Sequence, residues 1–179
     1  MLETLRTTIR PYLEEDIVRI LPIFSDPLTM QFWPEPFSRT QVDAWVKKNI
    51  ERMKENKLAR MIVESRETGE VIGDCGVVRA EIDGRTENDL GYIIHHPFWR
   101  QGYGTECAEA LIAYFTEVRK TTLLSDQNRI VANMAVDHIG SRRVAERVGM
   151  ELERTFLNKR NRGIETCLYV LQVGKKGSL

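Results

Sequence analysis

Cysteine is scarce in this 179-residue chain, and its three copies follow no ordered spacing. Cys75, Cys107 and Cys167 form no C-x-x-C pair, and no histidine is placed to complete a zinc set. The sequence therefore predicts neither a disulfide framework nor a metal site, because both need paired or closely spaced ligands. Cys107 falls inside a run of helical periodicity, where we expect a small packing residue rather than a nucleophile.

The sequence also lacks an excess of charge and any long apolar run. Its 26 basic residues balance 26 acidic residues, so no net field draws the chain towards nucleic acid. The N-terminus has no apolar signal core, and no window approaches the roughly 18 apolar residues of a membrane span. We therefore expect a cytoplasmic protein, monomer or homodimer, whose partner is neither nucleic acid nor membrane.

No internal repeat, low-complexity tract or linker interrupts the chain. This predicts a single domain over residues 1–179, with a frayed tail at 174–179. Hydrophobic periodicity predicts a strand, a helix over 13–24, a helix capped by Ser38, three antiparallel strands over 58–96, a helix over 102–115, a strand over 128–136, a helix over 138–148 and two strands turning at 161–163. Strands on both sides of two central helices indicate a mixed α/β or α+β domain.

The segment "RQGYGT", residues 100–105, lies between a predicted strand and a predicted helix. Small residues let backbone N–H groups converge on a phosphate, and a helix N-terminus adds about half a positive charge. The dinucleotide fingerprint G-x-G-x-x-G fails because its third glycine is Cys107, and the lysine-bearing P-loop is absent. From these residues alone, a phosphate cradle and a plain glycine turn remain equally open.

A longer stretch, "DLGYIIHHPFWRQGYGTECAEALIAYF", resembles the acetyl-CoA pyrophosphate motif of the GNAT superfamily of N-acetyltransferases, nearest to its RimJ/RimL-like branch. The match runs through Gly91, Tyr92, Pro97, Trp99, Gly102, Tyr103, Thr105 and Glu106. Downstream, "HIGSRRVAERVGM" is similar to the second cofactor motif of that branch. The sequence departs from the pattern at Arg100, usually a small residue, and at His138, usually an asparagine.

The resemblance implies a GNAT-like α/β (mixed α+β) fold. Its central, mostly antiparallel twisted sheet of about seven strands is splayed between strands 4 and 5, often with a bulge in the fourth, and is flanked by about four helices. It implies acetyl-CoA as cofactor, with a backbone N–H near Ile94 as oxyanion donor. The cofactor-binding residues that it implies are Ile93, Ile94, His95, Arg100, Gln101, Gly102, Tyr103, Gly104, Thr105, His138, Ser141 and Arg142.

Acetyl transfer to an amine needs a base, because only the neutral amine attacks. At pH 7 an α-amine is about 10% neutral, whereas a lysine amine is less than roughly 0.1% neutral. Glu87 and Asp89 stand at strand spacing and share one face. Asp89 occupies the position usually held by glutamate in the branch, so we expect Asp89 as the base and Glu87 as the second candidate.

The remaining site residues leave alternatives open. Ser141 or Tyr103 is the candidate donor to the departing thiolate, and Arg142 or Arg143 is the candidate partner of the 3′-phosphate of CoA. His138 is either a substrate or cofactor contact or a helix-start residue. The predicted substrate-binding residues are Phe32, Trp33, Phe37 and Tyr92.

These residues predict an acetyl-CoA-dependent N-acetyltransferase that works by direct attack, without an acetyl-cysteine intermediate. The first candidate acceptor is a protein or peptide N-terminal α-amine, as in ribosomal-protein-alanine acetyltransferases. A small-molecule amine such as an antibiotic, polyamine or amino acid is the second. A non-catalytic acyl-CoA-binding module is the rival from another class.

Overall fold

The computed structural model describes residues 1–55, 58–121 and 128–173. The helices are α1 (Asp16–Phe24), α2 (Arg39–Lys54), α3 (Tyr103–Thr121) and α4 (Ile139–Arg147). The strands are β1 (Leu2–Glu3), β2 (Thr7–Arg10), β3 (Arg60–Ser65), β4 (Val71–Ile82), β5 (Arg85–Ile94), β6 (Arg129–Ala135), β7 (Glu151–Asn158) and β8 (Ile164–Gln172). The tail at 174–179, predicted to fray, lies outside the described residues. None of the described helices is long and apolar enough to cross a membrane.

The eight strands form one sheet in the order β1-β2-β3-β4-β5-β6-β8-β7. Every neighbouring pair in the described chain is antiparallel except β5 and β6, which are parallel. The mostly antiparallel sheet and its four helices confirm the expected architecture. The count is eight rather than seven because the first predicted strand folds back at Thr4, whose N–H donates to the carbonyl of Thr7.

Local turn and cap residues set several element boundaries where the sequence predicts them. Ser38 and Gln41 form the reciprocal cap that begins α2. The β4–β5 hairpin turns at Asp83 and Gly84, which both have positive φ (48° and 77°), as a two-residue hairpin turn requires. The β4–β5 register is unbroken from Gly73–Ile94 to Ile82–Arg85. The expected bulge in the fourth predicted strand is therefore absent from this pairing.

Two helices cover each face of the sheet. One core cluster joins α3 to Leu90 and Ile94 of β5, and a second joins α1 and α2 to Ile93. Because side chains alternate along a strand, odd-numbered residues of β5 face α1 and α2, and even-numbered residues face α3. Glu87 and Asp89 therefore share the α1–α2 face.

The sheet opens between β5 and β6. These strands are joined at one pair of residues, Asp89 and Val131, whereas β6 pairs with β8 as far as Ala135. The described residues show no β5–β6 pairing beyond Asp89. The predicted splay between these two strands is thus confirmed, and Asp89 lies at its apex.

The helices on the α3 face frame this opening. The α3 helix runs six residues past the predicted end at Phe115, because the polar residues that follow include no glycine or proline to stop it. The α4 helix begins after His138 and ends before Gly149, which adopts a positive φ of 82°.

Candidate active site

A cavity of about 1290 Å³ passes through the opening in the sheet. Its wall includes residues from both faces of β5, from the start of α3, from the start of α4 and from the α1–α2 loop. Fourteen of the predicted site residues lie on this wall: Phe32, Trp33, Phe37, Asp89, Tyr92, Ile93, Ile94, Arg100, Gly102, Tyr103, Gly104, Thr105, His138 and Ser141. Glu87, His95, Gln101 and Arg142 do not.

The start of α3 has the geometry of a phosphate site. The N–H groups of Tyr103, Gly104 and Thr105 have no acceptor within the helix, since they belong to its first turn. The preceding turn uses left-handed backbone at Arg100 (φ 61°) and Gly102 (φ 88°). This explains why a small residue is usual at position 100, because a side chain costs energy in that region.

Arg6 fixes the outer side of this turn. Its Nη1 donates to the carbonyl of Gln101 (2.8 Å), its Nη2 pairs with Glu106 (2.7 Å), and its guanidinium lies 4.3 Å from the Tyr103 ring centroid. The side chain of Gln101 turns outwards to the carbonyl of Pro97 (2.9 Å). No sequence pattern points to Arg6, because its partners lie about a hundred residues away.

Arginines of the turn before α3 and of α4 supply positive charge. Arg100, Arg143 and Arg147 line the cavity. Arg142 instead donates to the hydroxyl of Tyr169 (3.3 Å) and the carbonyl of Val136 (3.0 Å), outside the cavity wall. Of the two alternatives for a phosphate partner, the fold therefore presents Arg143.

The free edge of β5 offers main-chain groups to the opening. His95 N–H donates to Ile72 of β4, so the alternation of an antiparallel pair turns the N–H groups of Tyr92 and Ile94 towards β6. The carbonyl of Ile94 already accepts a hydrogen bond from the Trp99 indole (2.6 Å). The Ile94 N–H, the expected oxyanion donor, therefore points into the opening.

Asp89 is held at the apex of the opening by Asn133. The amide of Asn133 donates to Oδ1 of Asp89 at 2.9 Å. Burial raises the pKa of Asp89 to about 6, against the opposing effects of Arg60 and the Asn133 hydrogen bond. At pH 7 the carboxylate is therefore mostly ionised, and it is a much stronger base than an exposed aspartate.

Glu87 is committed to a different partner. Both of its oxygens accept hydrogen bonds from Arg129 (3.0 Å each), which also pairs with Glu153. The side chain of Glu87 is 8% exposed and lies outside the cavity wall. The predicted shared face with Asp89 is correct, but the fold brings only Asp89 into the cavity.

Tyr92 and Ser141 connect β5 to α4 across the cavity. Their hydroxyl oxygens are 2.8 Å apart. Burial raises the pKa of Tyr92 to about 12, so the hydroxyl stays protonated at neutral pH. The sequence placed Tyr92 with the substrate and Ser141 with the leaving group, whereas the structure pairs the two hydroxyls.

His138 caps α4 and anchors the α1–α2 loop. Its Nδ1 accepts the N–H of Ser141 (3.3 Å), which is the bond that an asparagine makes at a helix N-cap. Its ring stacks on Phe32 with centroids 4.0 Å apart, and Asn161 donates to the carbonyl of Phe32 (2.7 Å). Burial lowers the pKa of His138. His138 is thus both a helix-start residue and part of the cavity wall.

Aromatic rings wall the α1–α2 side of the cavity. Trp33, Phe37 and Trp45 meet edge to face with centroids 5.4–5.9 Å apart, and Phe24 packs behind them. Such edge-to-face contacts fix the ring orientations. Trp45 lies in the helix predicted after Ser38, and a helical pattern does not reveal which partly buried ring faces a cavity.

His95 belongs to a separate cluster beneath the α1–α2 loop. Ligand atoms of Asp26, His95 and His96 lie within 4.8 Å of one another, the single group of this kind among the described residues. His96 Nδ1 is 2.7 Å from Asp26 Oδ2, which also accepts from Thr29. This cluster ties the loop to the end of β5. The three cysteines, of which Cys107 was predicted to be a small packing residue, are buried and free.

The two ends of the cavity differ in chemistry. One end has the first-turn N–H groups of α3 with the arginines of the preceding turn and of α4, and the other has the Asp89 carboxylate and aromatic rings. A ligand with phosphates at one end and a reactive acyl group at the other fits this arrangement. The fold and the site thus define the class of CoA-dependent acyltransferases.

Comparison with known proteins gives the family. The sequence profile described as "Acetyltransferase (GNAT) domain" matches residues 6–151. The uncharacterized protein YkkB of Bacillus subtilis (strain 168) is 30% identical over 134 residues, 75% of this chain and 74% of its own length. The chain belongs to the GNAT acetyltransferases, and its acyl donor is acetyl-CoA.

Solved structures share the fold at low identity. A GNAT-family acetyltransferase from Bacillus anthracis superposes with TM-score 0.78 at 20% identity, covering 96% of this chain and 97% of its own. The ribosomal L7/L12 α-N-protein acetyltransferase RimL, solved with CoA, superposes with TM-score 0.75 at 17% identity, covering 95% of this chain and 96% of its own. Spermidine N-acetyltransferase from Vibrio cholerae superposes with TM-score 0.71 at 16% identity, covering 92% of this chain and 94% of its own. The fold therefore spans acceptors of very different size.

Proposed function

We propose that this acetyltransferase acetylates a primary α-amine, with Asp89 as the general base. The observation that carries the proposal is the ionisable Asp89 carboxylate at the apex of the opening, held by Asn133 inside the cavity. Acetyl-CoA supplies the thioester carbonyl. The first turn of α3, with Arg100, Arg143 and Arg147, is suited to hold its phosphates.

The cavity provides a group for each charge that develops. As the amine nitrogen bonds to the acetyl carbon and the carbon–sulfur bond breaks, the proton of the amine passes to Asp89. The N–H of Ile94 stabilises negative charge on the carbonyl oxygen. Full proton transfer from Tyr92, with a pKa of about 12, to a thiolate of pKa about 8.5 is uphill. The Tyr92–Ser141 pair therefore acts by hydrogen bonding to the sulfur.

The strength of the base favours an α-amine over an alkylamine. At pH 7 an α-amine of pKa about 8 is about 10% neutral, and a lysine-like amine of pKa about 10.4 is less than roughly 0.1% neutral. A carboxyl group with a pKa of about 6 is a weak base towards the second class. A protein or peptide N-terminus is therefore the first candidate acceptor.

A small-molecule amine is the second candidate, and the α1–α2 loop favours it. Phe32 is stacked on His138 and bonded to Asn161, so the loop lies across the cavity and restricts the size of what enters. Among protein acceptors, the same restriction favours a flexible peptide end over a folded surface.

Release of free thiol from acetyl-CoA tests the proposal. The panel contains an alanine-initiated peptide, alaninamide, a polyamine and an antibiotic amine, with a control lacking amine. The three cysteines are buried, so the protein itself adds little thiol signal. Turnover of α-amines that is lost in Asp89→Asn supports the proposal. CoA binding without turnover of any amine refutes it and identifies a non-catalytic acyl-CoA-binding module.

A further inference from the structure

Arg60 is a buried cation beside the proposed base. It begins β3, and its side chain is 8% exposed. Its Nε donates to Asp74 (2.7 Å), and its Nη2 also contacts this fully buried carboxylate. Tyr12 (2.7 Å) and Trp45 (3.2 Å) donate to the other oxygen of Asp74. The guanidinium is therefore fixed in position.

The Nη1 end of Arg60 is open to the cavity. Among the described residues, Nη1 donates to no protein acceptor, whereas Nε and Nη2 do. Nη1 of Arg60 is not among the buried side-chain atoms that lack a hydrogen-bond partner in the described ranges. Nη1 is thus not sealed in the core, and Arg60 lies on the cavity wall. Two N–H donors of a fixed cation remain available to a ligand.

Gly91 explains how Arg60 reaches this position. A Cβ built on Gly91 would lie 2.0 Å from Nη1, so any side chain there would displace the guanidinium. Gly91 and Asp89 share a face of β5, about 7 Å apart along the strand. Arg60 Nη1 and the Asp89 carboxylate are therefore neighbours, one a donor and the other an acceptor.

An aminoacyl group can span the roughly 7 Å that separates Gly91 and Asp89 along β5. Its amine nitrogen and carbonyl oxygen are about 3 Å apart, and two hydrogen bonds of about 2.9 Å extend this to about 9 Å. Bond rotation allows shorter spans, so the two contacts can form together. A simple alkylamine offers no acceptor to Nη1, so it gains no hydrogen bond from this charged donor.

The charge balance distinguishes two kinds of aminoacyl compound. Asp74 neutralises Arg60, Glu81 pairs with the cavity-lining Arg160, and Asp89 and Glu35 add negative charge to the acceptor end of the cavity. This negative charge would repel a free α-carboxylate, whereas it would not repel a neutral carbonyl group. The site therefore favours an acceptor whose carboxyl group is blocked as an amide.

We propose that Arg60 Nη1 binds the carbonyl oxygen next to the acceptor amine, so that the enzyme selects aminoacyl amides, such as peptide N-termini, over free amino acids and alkylamines. This inference rests on the proposed function, with Asp89 accepting the proton of the same amine. It makes Arg60 a specificity-determining residue.

The test compares kcat/KM for alaninamide, alanine and isopropylamine, each corrected for the neutral fraction of its amine. The parent protein should prefer alaninamide to isopropylamine by about 10- to 100-fold, the usual value of a hydrogen bond from a charged donor. In Arg60→Lys, which keeps the charge but not the second N–H pair, the preference should fall below about threefold. Arg143→Lys, a cavity arginine at the other end, is the matched control and should keep the preference.

The outcomes separate the two proposals. No turnover of any amine refutes the proposed function and this inference with it. Turnover of amines without a preference for alaninamide in the parent refutes the inference alone. If Arg60→Lys does not fold, NMR of the Arg60 side-chain nitrogens in the parent decides instead. Their resonances should shift with alaninamide and not with isopropylamine, and equal responses would overturn the inference.

Discussion

Replacing Asp89 with asparagine should lower activity and raise stability together. Asparagine keeps the oxygen that accepts from Asn133 but cannot take a proton. Turnover of an α-amine at pH 7 should fall by about two to four powers of ten, the usual contribution of a general base. CoA affinity should stay near that of the parent. The loss should shrink as pH rises, because more of the amine is then already neutral.

The stability change follows from the raised pKa of Asp89. The folded pKa is about 6, above the value of about 3.9 for an exposed aspartate. The folded state therefore holds the proton more tightly, and the unfolding free energy falls as pH rises from about 4 to 6. Two pKa units correspond to at most about 3 kcal/mol. Asp89→Asn should be more stable than the parent by up to this amount at pH 7.5, and equally stable below about pH 4.

Glu87→Gln is the matched control for both measurements. It breaks the pair with Arg129 outside the cavity, so it should lose stability and keep activity within about threefold. Chemical denaturation at pH 4 and 7.5, together with a pH–rate profile, checks all four expectations. Full activity in Asp89→Asn, or a greater loss in Glu87→Gln, would refute Asp89 as the base. A stability difference between Asp89→Asn and the parent that does not depend on pH would refute the conclusion that Asp89 is partly buried with a raised pKa.

Substitutions at three further positions test the cavity wall. Gly104→Val should weaken CoA binding, measured by calorimetry, at least tenfold, whereas Gly104→Ala should weaken it little. A single Cβ at this position meets Tyr92 and Val144 at an ordinary 3.5 Å, but further methyl groups do not fit. Equal affinity in the parent and both variants would refute the assignment of the phosphate site. His138→Ala should raise the KM for the amine and lower the free energy of unfolding by about 1 kcal/mol. His138→Asn should restore the stability but not the KM, because asparagine caps the helix but cannot stack on Phe32. Unchanged kinetics in both variants would show that His138 acts only as a helix cap. Arg100→Gly should change the free energy of unfolding by less than about 1 kcal/mol, because relief of the positive φ offsets the greater flexibility of glycine in the unfolded chain. The KM for acetyl-CoA should rise severalfold. An unchanged KM would exclude a role for Arg100 in phosphate binding.

The sequence by itself determined the features that depend on near neighbours. The Ser38 cap, the Asp83–Gly84 hairpin and the glycine turn before α3 each need particular residues at fixed spacing, so they are visible in a single sequence. The two-residue period of a strand likewise placed Glu87 and Asp89 on one face. The resemblance to GNAT proteins added the splayed sheet and the cofactor, because its motifs occupy these same local elements.

Tertiary structure decided what each of these side chains does. Glu87 is a structural ion pair because Arg129, 42 residues away, reaches it across the sheet, while Asp89 meets the neutral Asn133 and stays available. Arg60 was missed because a charged residue at the start of an apolar strand gives no sign of a buried partner such as Asp74. Burial and charge pairing depend on residues brought together from distant parts of the chain, and periodicity along one segment carries no information about them.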